Sequence, residues 1–178
     1  MFGFIKKHEK EPISANELVA VADGKSIPLE EVPDEVFSQK MLGDGIAIEL
    51  QGNTIVAPAD GKLTMIFETL HSFGMILDNN MEILVHIGID TVALNGKGFK
   101  KLAKENTYVK AGTPIISVDK DLVEENGYNT VTMMIITNSD KYELKMNEHG
   151  IVQKGKSIVL TYWILNYSSY LNNIKLTK

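Results

Sequence analysis

An all-β fold, an antiparallel sandwich or barrel with a few short connecting helices, is what this sequence predicts. Three observations support it. Turn signals recur at short intervals, at Asp23-Gly24, Gly43-Asp44-Gly45, Gly52-Asn53, Asp60-Gly61, Asp78-Asn79, Asn95-Gly96, Ala111-Gly112, Asn126-Gly127 and Gly155. The segments between them are short and rich in β-branched and apolar residues. Only two stretches carry helical signals, and both are connector-sized. Many short strands with close turns are the pattern of a sandwich or barrel.

Taken in order, the first helical stretch is Pro33–Met41, whose Pro-Asp-Glu start suits a first helical turn. Strands are expected over Gly45–Leu50, Asn53–Pro58 and Lys62–Thr69, each bounded by a turn signal. Leu77-Asp78-Asn79-Asn80 is hairpin chemistry, because Asn and Asp tolerate the positive φ of tight turns. Strands follow over Ile83–Ile89 and Tyr108–Asp119. Asp119–Asn126 reads as the second helix, acidic early and with Gly127 just past its end. Thr130–Thr137 and Lys156–Tyr162 complete the strands. Residues 1–16 are expected to be a flexible segment, 17–162 the folded domain, and 163–178 a C-terminal extension of unknown role.

Composition narrows the function. The chain has 178 residues, enough for one domain with its own core. It has no cysteine, so disulfides, thiolate catalysis and cysteine–zinc sites are excluded. Every cation is lysine and the net charge is −5, a poor composition for binding nucleic acid. No apolar run approaches the ~20 residues of a membrane-spanning helix. The start has its charges after its apolar residues, the reverse of a secretory signal, and a cytoplasmic location is expected. At most, the N-terminal segment makes a weak amphipathic membrane contact.

The chemistry centres on two histidines. If Asp78 and Asn79 form a two-residue turn, His71 faces His86 across the hairpin, with Cβ atoms roughly 4.5–5.5 Å apart. Alternation then places Phe67, Thr69, Phe73 and Met75 on the histidine face, joined by Glu82, Leu84, Gly88 and Asp90. Ile83, Val85, Ile87 and Ile89 form the core row opposite. An outward polar pair with an apolar rim points to docking of another protein.

Several strings are specific enough to carry a resemblance. They are Leu42-Gly-Asp-Gly-Ile-Ala-Ile48, Val56-Ala-Pro-Ala-Asp-Gly61, Ile66-Phe-Glu-Thr69 with His71, Val85-His-Ile-Gly-Ile-Asp-Thr-Val92, and Gly96-Lys-Gly-Phe99. In order and spacing, over roughly residues 17–162, the sequence resembles the glucose-family enzyme IIA of the bacterial phosphoenolpyruvate-dependent sugar phosphotransferase system. The resemblance implies a β-sandwich that accepts a phosphoryl group from the histidine-phosphocarrier protein HPr and passes it to a cysteine of an enzyme IIB domain. By motif position it implies His86 as the phosphorylated residue, through Nε2, His71 as the second active-site histidine, and Thr69 as the hydroxyl orienting it. Asp34 and Asp90 match acidic positions facing a basic partner. Val36, Phe37, Leu42, Phe67, Phe73 and Leu84 match or adjoin an apolar docking patch. No cofactor or metal is implied.

The residues themselves agree with that chemistry. Two adjacent imidazoles disfavour a doubly cationic state, leaving a neutral nucleophile near neutrality. Phosphoryl transfer needs positioning and charge stabilisation rather than covalent assistance, and no Gly-x-x-x-x-Gly-Lys nucleotide loop is present. Gly88 is expected to leave room for a partner. Three alternatives stand beside this reading. A zinc hydrolase would use the histidine pair as ligands, but zinc sites normally take at least three. A biotinyl- or lipoyl-type carrier would use a hairpin lysine, for which Lys145-Met146 is the nearest approach. A regulatory binding protein would be switched by phosphorylation.

Overall fold

The computed structural model describes residues 16–147 and 149–165. The expectations for residues 1–15, including the membrane contact, and for residues 166–178 lie outside these. In chain order the strands are β1 (Glu17–Val19), β2 (Gly24–Pro28), β3 (Asp44–Leu50), β4 (Thr54–Val56), β5 (Gly61–Ile66), β6 (Ser72–Ile76) and β7 (Glu82–Ile87). They continue as β8 (Phe99–Lys101), β9 (Thr107–Val109), β10 (Pro114–Val118), β11 (Thr132–Ile136), β12 (Tyr142–Met146), β13 (Ile151–Val152) and β14 (Ile158–Ile164). Two short α-helices, α1 (Glu35–Ser38) and α2 (Lys120–Glu125), connect them. The expected antiparallel all-β architecture is what forms.

Three antiparallel sheets share the work. The large sheet runs β13-β2-β3-β11-β7-β6-β5-β9, and the two small ones run β1-β14-β12 and β4-β10-β8. The main core lies between the large sheet and the small ones. Ile46, Ile48, Phe73, Val85 and Met134 of the large sheet meet Leu18 and Leu160 from one small sheet and Ile55 and Ile116 from the other. A smaller cluster lies on the opposite face of the large sheet. There Ile27, Ala47, Met133 and Ile135 are covered by Leu29 of the 3₁₀ turn Leu29–Glu31, by Val32 just after it and by Phe37 of α1. That second face carries the site.

Both helices form where their caps demand. The Asp34 carboxylate accepts from the amides of Val36 and Phe37, and that of Asp119 accepts from Leu122, satisfying first-turn donors that would otherwise lack partners. The first helix is shorter than Pro33–Met41 because Lys40 adopts φ 56°, outside helical geometry. The expected single strand Tyr108–Asp119 is divided into β9 and β10 by a turn in which the Thr113 amide donates to the Lys110 carbonyl. β14 runs beyond Tyr162: Trp163 pairs with Glu143 and Ile164 with Tyr142.

The hairpin register differs from expectation by one residue. Three residues, Asp78-Asn79-Asn80, form the loop rather than two. The Leu77 amide donates to the Met81 carbonyl at 3.0 Å, and Asn80 takes φ 63°, the left-handed position that closes a three-residue hairpin. His86 therefore faces Ser72, not His71. A one-residue shift exchanges every side chain between faces. Phe73 and Met75 consequently turn into the core against Val85 and Ile83, so neither belongs to the histidine face. Ile89 departs as well: Gly88 at φ 77° ends the alternation, and Ile89 packs on the second cluster instead.

Phe73 and Phe67 test this register. Phe73→Ala should lower unfolding free energy by about 3–5 kcal/mol, as a fully buried phenylalanine does. Phe67→Ala, at an exposed position, should cost about 1 kcal/mol or less. Urea denaturation of both variants measures the difference; equal losses would restore the two-residue turn.

Candidate active site

His86 is presented by β7 on the second face of the large sheet, between β6 and β11. Its ring stacks at a tilt on Phe37, with centroids 5.1 Å apart. The next two residues fix its protonation. Gly88 turns the chain at φ 77° and aims its carbonyl at Nδ1 of His86, 2.9 Å away. A carbonyl only accepts, so Nδ1 carries the hydrogen and Nε2 of the neutral ring keeps its lone pair. Gly88 is held closely: a Cβ there would lie 2.4 Å from Thr91 Cγ2 and 2.7 Å from the Asn129 carbonyl. Its role is thus to aim a backbone carbonyl inside a packed turn, not to clear space for a partner. Thr91, fully buried, donates its hydroxyl to the Ile87 carbonyl and braces the same turn.

His71 reaches His86 from outside the strand pattern. It is the last residue of the β5–β6 loop, in which the Phe67 amide donates to Ser72 and the Leu70 amide to Phe67. Leu70 adopts φ 56°. Free of strand alternation, His71 anchors its carbonyl on the Ile87 amide at 2.7 Å and lays its ring edge-on to His86, with centroids 5.0 Å apart. Thr69 Oγ1 lies 2.6 Å from Nδ1 of His71. Phe67 packs on the outer side of that imidazole, with centroids 5.3 Å apart.

Both imidazoles titrate below the ordinary histidine value of 6.5. Burial is the cause for His71. For His86 it is burial first, then repulsion from His71; the Gly88 carbonyl, Asp34 and Asp90 pull the other way. The result is a neutral pair at neutral pH. One ring offers a lone pair, and the other is oriented through Nδ1 by a hydroxyl. Among the described residues, no group of three or more His, Cys, Asp or Glu side chains converges as a metal site.

The family described as phosphoenolpyruvate-dependent sugar phosphotransferase system, EIIA 1, matches residues 16–142. The chain belongs to this family. The glucose-specific EIIA component of Buchnera aphidicola subsp. Baizongia pistaciae is 44% identical over 81% of this chain and 86% of its own length. That of Buchnera aphidicola subsp. Acyrthosiphon pisum is 41% identical over 83% of this chain and 91% of its own. A glucose-specific EIICBA component of Staphylococcus carnosus is 41% identical over 77% of this chain, which spans 20% of that longer protein. The solved glucose permease IIA from Mycoplasma capricolum superposes with a TM-score of 0.73 at 37% identity, covering 81% of this chain and 94% of that one. Membership of the EIIA family makes the chain a component of a sugar phosphotransferase system. Among the described residues, no helix is long and apolar enough to cross a membrane.

Around the histidines of this EIIA domain, the sequence-derived rim residues fall into three groups. Val36, Leu42 and Phe67 are exposed apolar side chains, and Leu84 is half-buried against the second cluster. Phe37 is buried and contacts His86 instead of standing open. Phe73 is fully buried in the main core and is removed from the patch, because the hairpin register turns it inward. Asp34 doubles as the cap of α1, and Asp90 is exposed in the left-handed region at φ 57°. The sequence reading missed the Gly88 carbonyl, buried Ser72 opposite His86, and the exposed Met41 and Met65. A glycine interrupting a strand pattern was the available signal for the first.

The depressed histidines predict a pH dependence of stability. Unfolding restores the ordinary value near 6.5, so the unfolded chain binds more protons and stability falls with falling pH. The loss begins as pH drops through about 6.5 and is complete below the folded-state values. Urea midpoints should fall more between about pH 7.5 and about pH 5 for the native sequence than for a His71→Gln/His86→Gln double variant. Equal slopes would contradict the assigned burial.

Proposed function

We propose that this chain is a phosphocarrier of a sugar phosphotransferase system, taking a phosphoryl group from phospho-HPr on His86 and passing it to a cysteine of an enzyme IIB domain. The observation that carries the reading is the Gly88 carbonyl 2.9 Å from Nδ1 of His86. It leaves Nε2 as the nucleophilic nitrogen beside a second imidazole. The Nε2 lone pair forms a P–N bond as the P–N bond of phospho-HPr breaks, and the HPr imidazole leaves. In the second transfer the acceptor thiolate attacks phosphorus and the His86 P–N bond breaks. This chain has no cysteine, so that acceptor belongs to a partner or another domain. Relatives named EIICBA, in which the matching region is a fifth of the protein, favour an enzyme IIB partner.

Each neighbour has a part. Phosphorylation adds about −1.5 to −2 charge if phosphohistidine behaves as other phospho groups do. His71 faces that charge. When Thr69 donates to Nδ1 of His71, the hydrogen of the neutral ring sits on Nε2 and points at the phosphoryl oxygens. Phe37 and Phe67 shield the two rings from water, which strengthens that hydrogen bond. Asp34 and Asp90 steer the basic donor, while Val36, Leu42, Phe67 and Leu84 supply the apolar contact. Docking of two proteins, rather than a deep cleft, then excludes water during transfer.

Labelling from phospho-HPr, followed by chase into enzyme IIB, tests the assignment. His86→Ala should incorporate nothing. His71→Gln keeps a donor and should still be labelled, yet with that donor displaced from the imidazole position it should transfer onward about a hundredfold more slowly, the scale of misplacing a catalytic group. Thr69→Ala should show a milder form of that defect. Normal labelling of His86→Ala with none in His71→Gln would reverse the roles.

Steering is tested separately. Replacing Asp34 and Asp90 together by Asn preserves the α1 cap, since Asn caps as well as Asp. Acceptance should slow at low ionic strength and its salt dependence should flatten. A wild-type rate at low salt would remove both acids from the donor interface. The C-terminal extension, expected from residue 163 onward, is proposed to be dispensable for transfer; because β14 continues to Ile164, the truncation that tests this ends after Leu165.

A further inference from the structure

We propose that Met41 and Met65 are an oxidation-sensitive rim on the docking face, where conversion of their thioethers to sulfoxides by a peroxide slows phosphoryl acceptance. The inference rests on the phosphocarrier reading and adds a modification that regulates it.

With no cysteine in the chain, methionine is its only sulfur-bearing side chain. The described methionines divide by environment. Met75, Met81, Met133 and Met134 are at most 1% exposed and Met146 is half-buried against the main core, whereas Met41 is 62% and Met65 42% exposed. The two exposed residues bracket the histidine pair. Met65 pairs with Gly74, which pairs with Leu84 on the strand that carries His86. Met65, Gly74 and Leu84 thus form one row across β5, β6 and β7. Gly74 has no side chain, and the place where its Cβ would stand is 3.4 Å from Met65 Cγ. Met65 therefore borders the notch in that row, with Thr64 Oγ1 equally close at 3.4 Å. On the other flank, the Met41 amide donates to the Val36 carbonyl at 3.0 Å, which fixes it to the turn carrying Val36 and Phe37 and next to Leu42.

Oxidation is an oxygen transfer. A sulfur lone pair attacks the terminal peroxide oxygen, an S–O bond forms and the O–O bond breaks. Sulfur loses two electrons, and the other peroxide oxygen leaves as water. The product replaces a flexible apolar group with a polar, chiral one. At the flanks of an apolar contact it introduces an acceptor that the partner must desolvate without compensation. Sulfoxide reductases reverse the change, so the slowed state is reversible.

The test treats the full chain with hydrogen peroxide, locates added oxygen by peptide mapping, and measures acceptance from phospho-HPr. Met41 and Met65 should each gain one oxygen before Met146, and well before Met75, Met81, Met133 or Met134. Acceptance should then fall roughly three- to thirtyfold, the range for burying one unsatisfied polar group, with the urea midpoint unchanged. Methionine sulfoxide reductases should restore the rate. In a Met41→Leu/Met65→Leu variant the ratio of treated to untreated rate should stay near one. An unchanged rate with both sulfoxides in place overturns the inference, as does an equal fall in the double leucine variant. Acceptance by untreated protein is measured first, so failure of the carrier function itself would appear there as absent labelling.

Discussion

Register in the β6–β7 hairpin is the constraint on which the remaining structure depends. Because side chains alternate faces, a shift of one residue would send Phe73 and Met75 out of the core and bring Ser72 and Gly74 into it. The three-residue turn prevents that shift, with Asn80 in the left-handed region. Its polar groups are satisfied by neighbouring elements. Asn138 accepts from the Glu82 amide and donates to the Asn80 carbonyl, while Asn79 donates to Tyr162 and accepts, at its carbonyl, from Tyr142. The small β1-β14-β12 sheet thus clamps the end of the hairpin remote from the histidines.

At the histidine end the logic is reversed: short irregular pieces are held by a regular sheet. A four-residue helix does not persist alone in water. α1 is kept in place by the Asp34 cap, by burial of Phe37, and by Lys40, which bridges Glu30 and Asp44 at 2.8 and 2.9 Å. These exposed ion pairs contribute little energy each. Their value is geometric, since they tie the segment that covers His86 to the start of β3. The loop ending at His71 and the turn after Ile87 meet through the bond from the Ile87 amide to the His71 carbonyl. Displacing any one of these pieces moves a ring of the site.

The electrostatic consequence is a balance. Burial keeps both imidazoles neutral, while Asp34 and Asp90 at the rim favour the charged form of His86 without overcoming it. A neutral, oriented nitrogen under an apolar cover is suited to receiving a group whose negative charge must be met inside the contact and not by water. The aromatic neighbours on either side, Phe37 and Phe67, supply that apolar cover.

Much of this was legible in the chain itself. The all-β class, the two acidic helix starts and the family follow from local signals: turn residues, an acid at each helix start, and motifs in a set order; His71 and His86 do meet, but not through the facing register the turn residues suggested. The sequence by itself determined which chemistry is available, because residue types and short-range backbone preferences act within a few positions. What only the tertiary structure decided was which face each residue occupies. Asn80 as a third loop residue, the departure of His71 from strand alternation and the aim of the Gly88 carbonyl all depend on contacts between segments distant in sequence. A two-residue Asp78-Asn79 turn and a three-residue Asp78-Asn79-Asn80 loop are equally acceptable to local chemistry; burying Phe73 and Met75 beside Val85 and Ile83 is what separates them. Strands β1, β2, β8, β12 and β13 eluded the sequence for the same reason. They are short, and their backbone groups are satisfied only once a partner strand lies alongside.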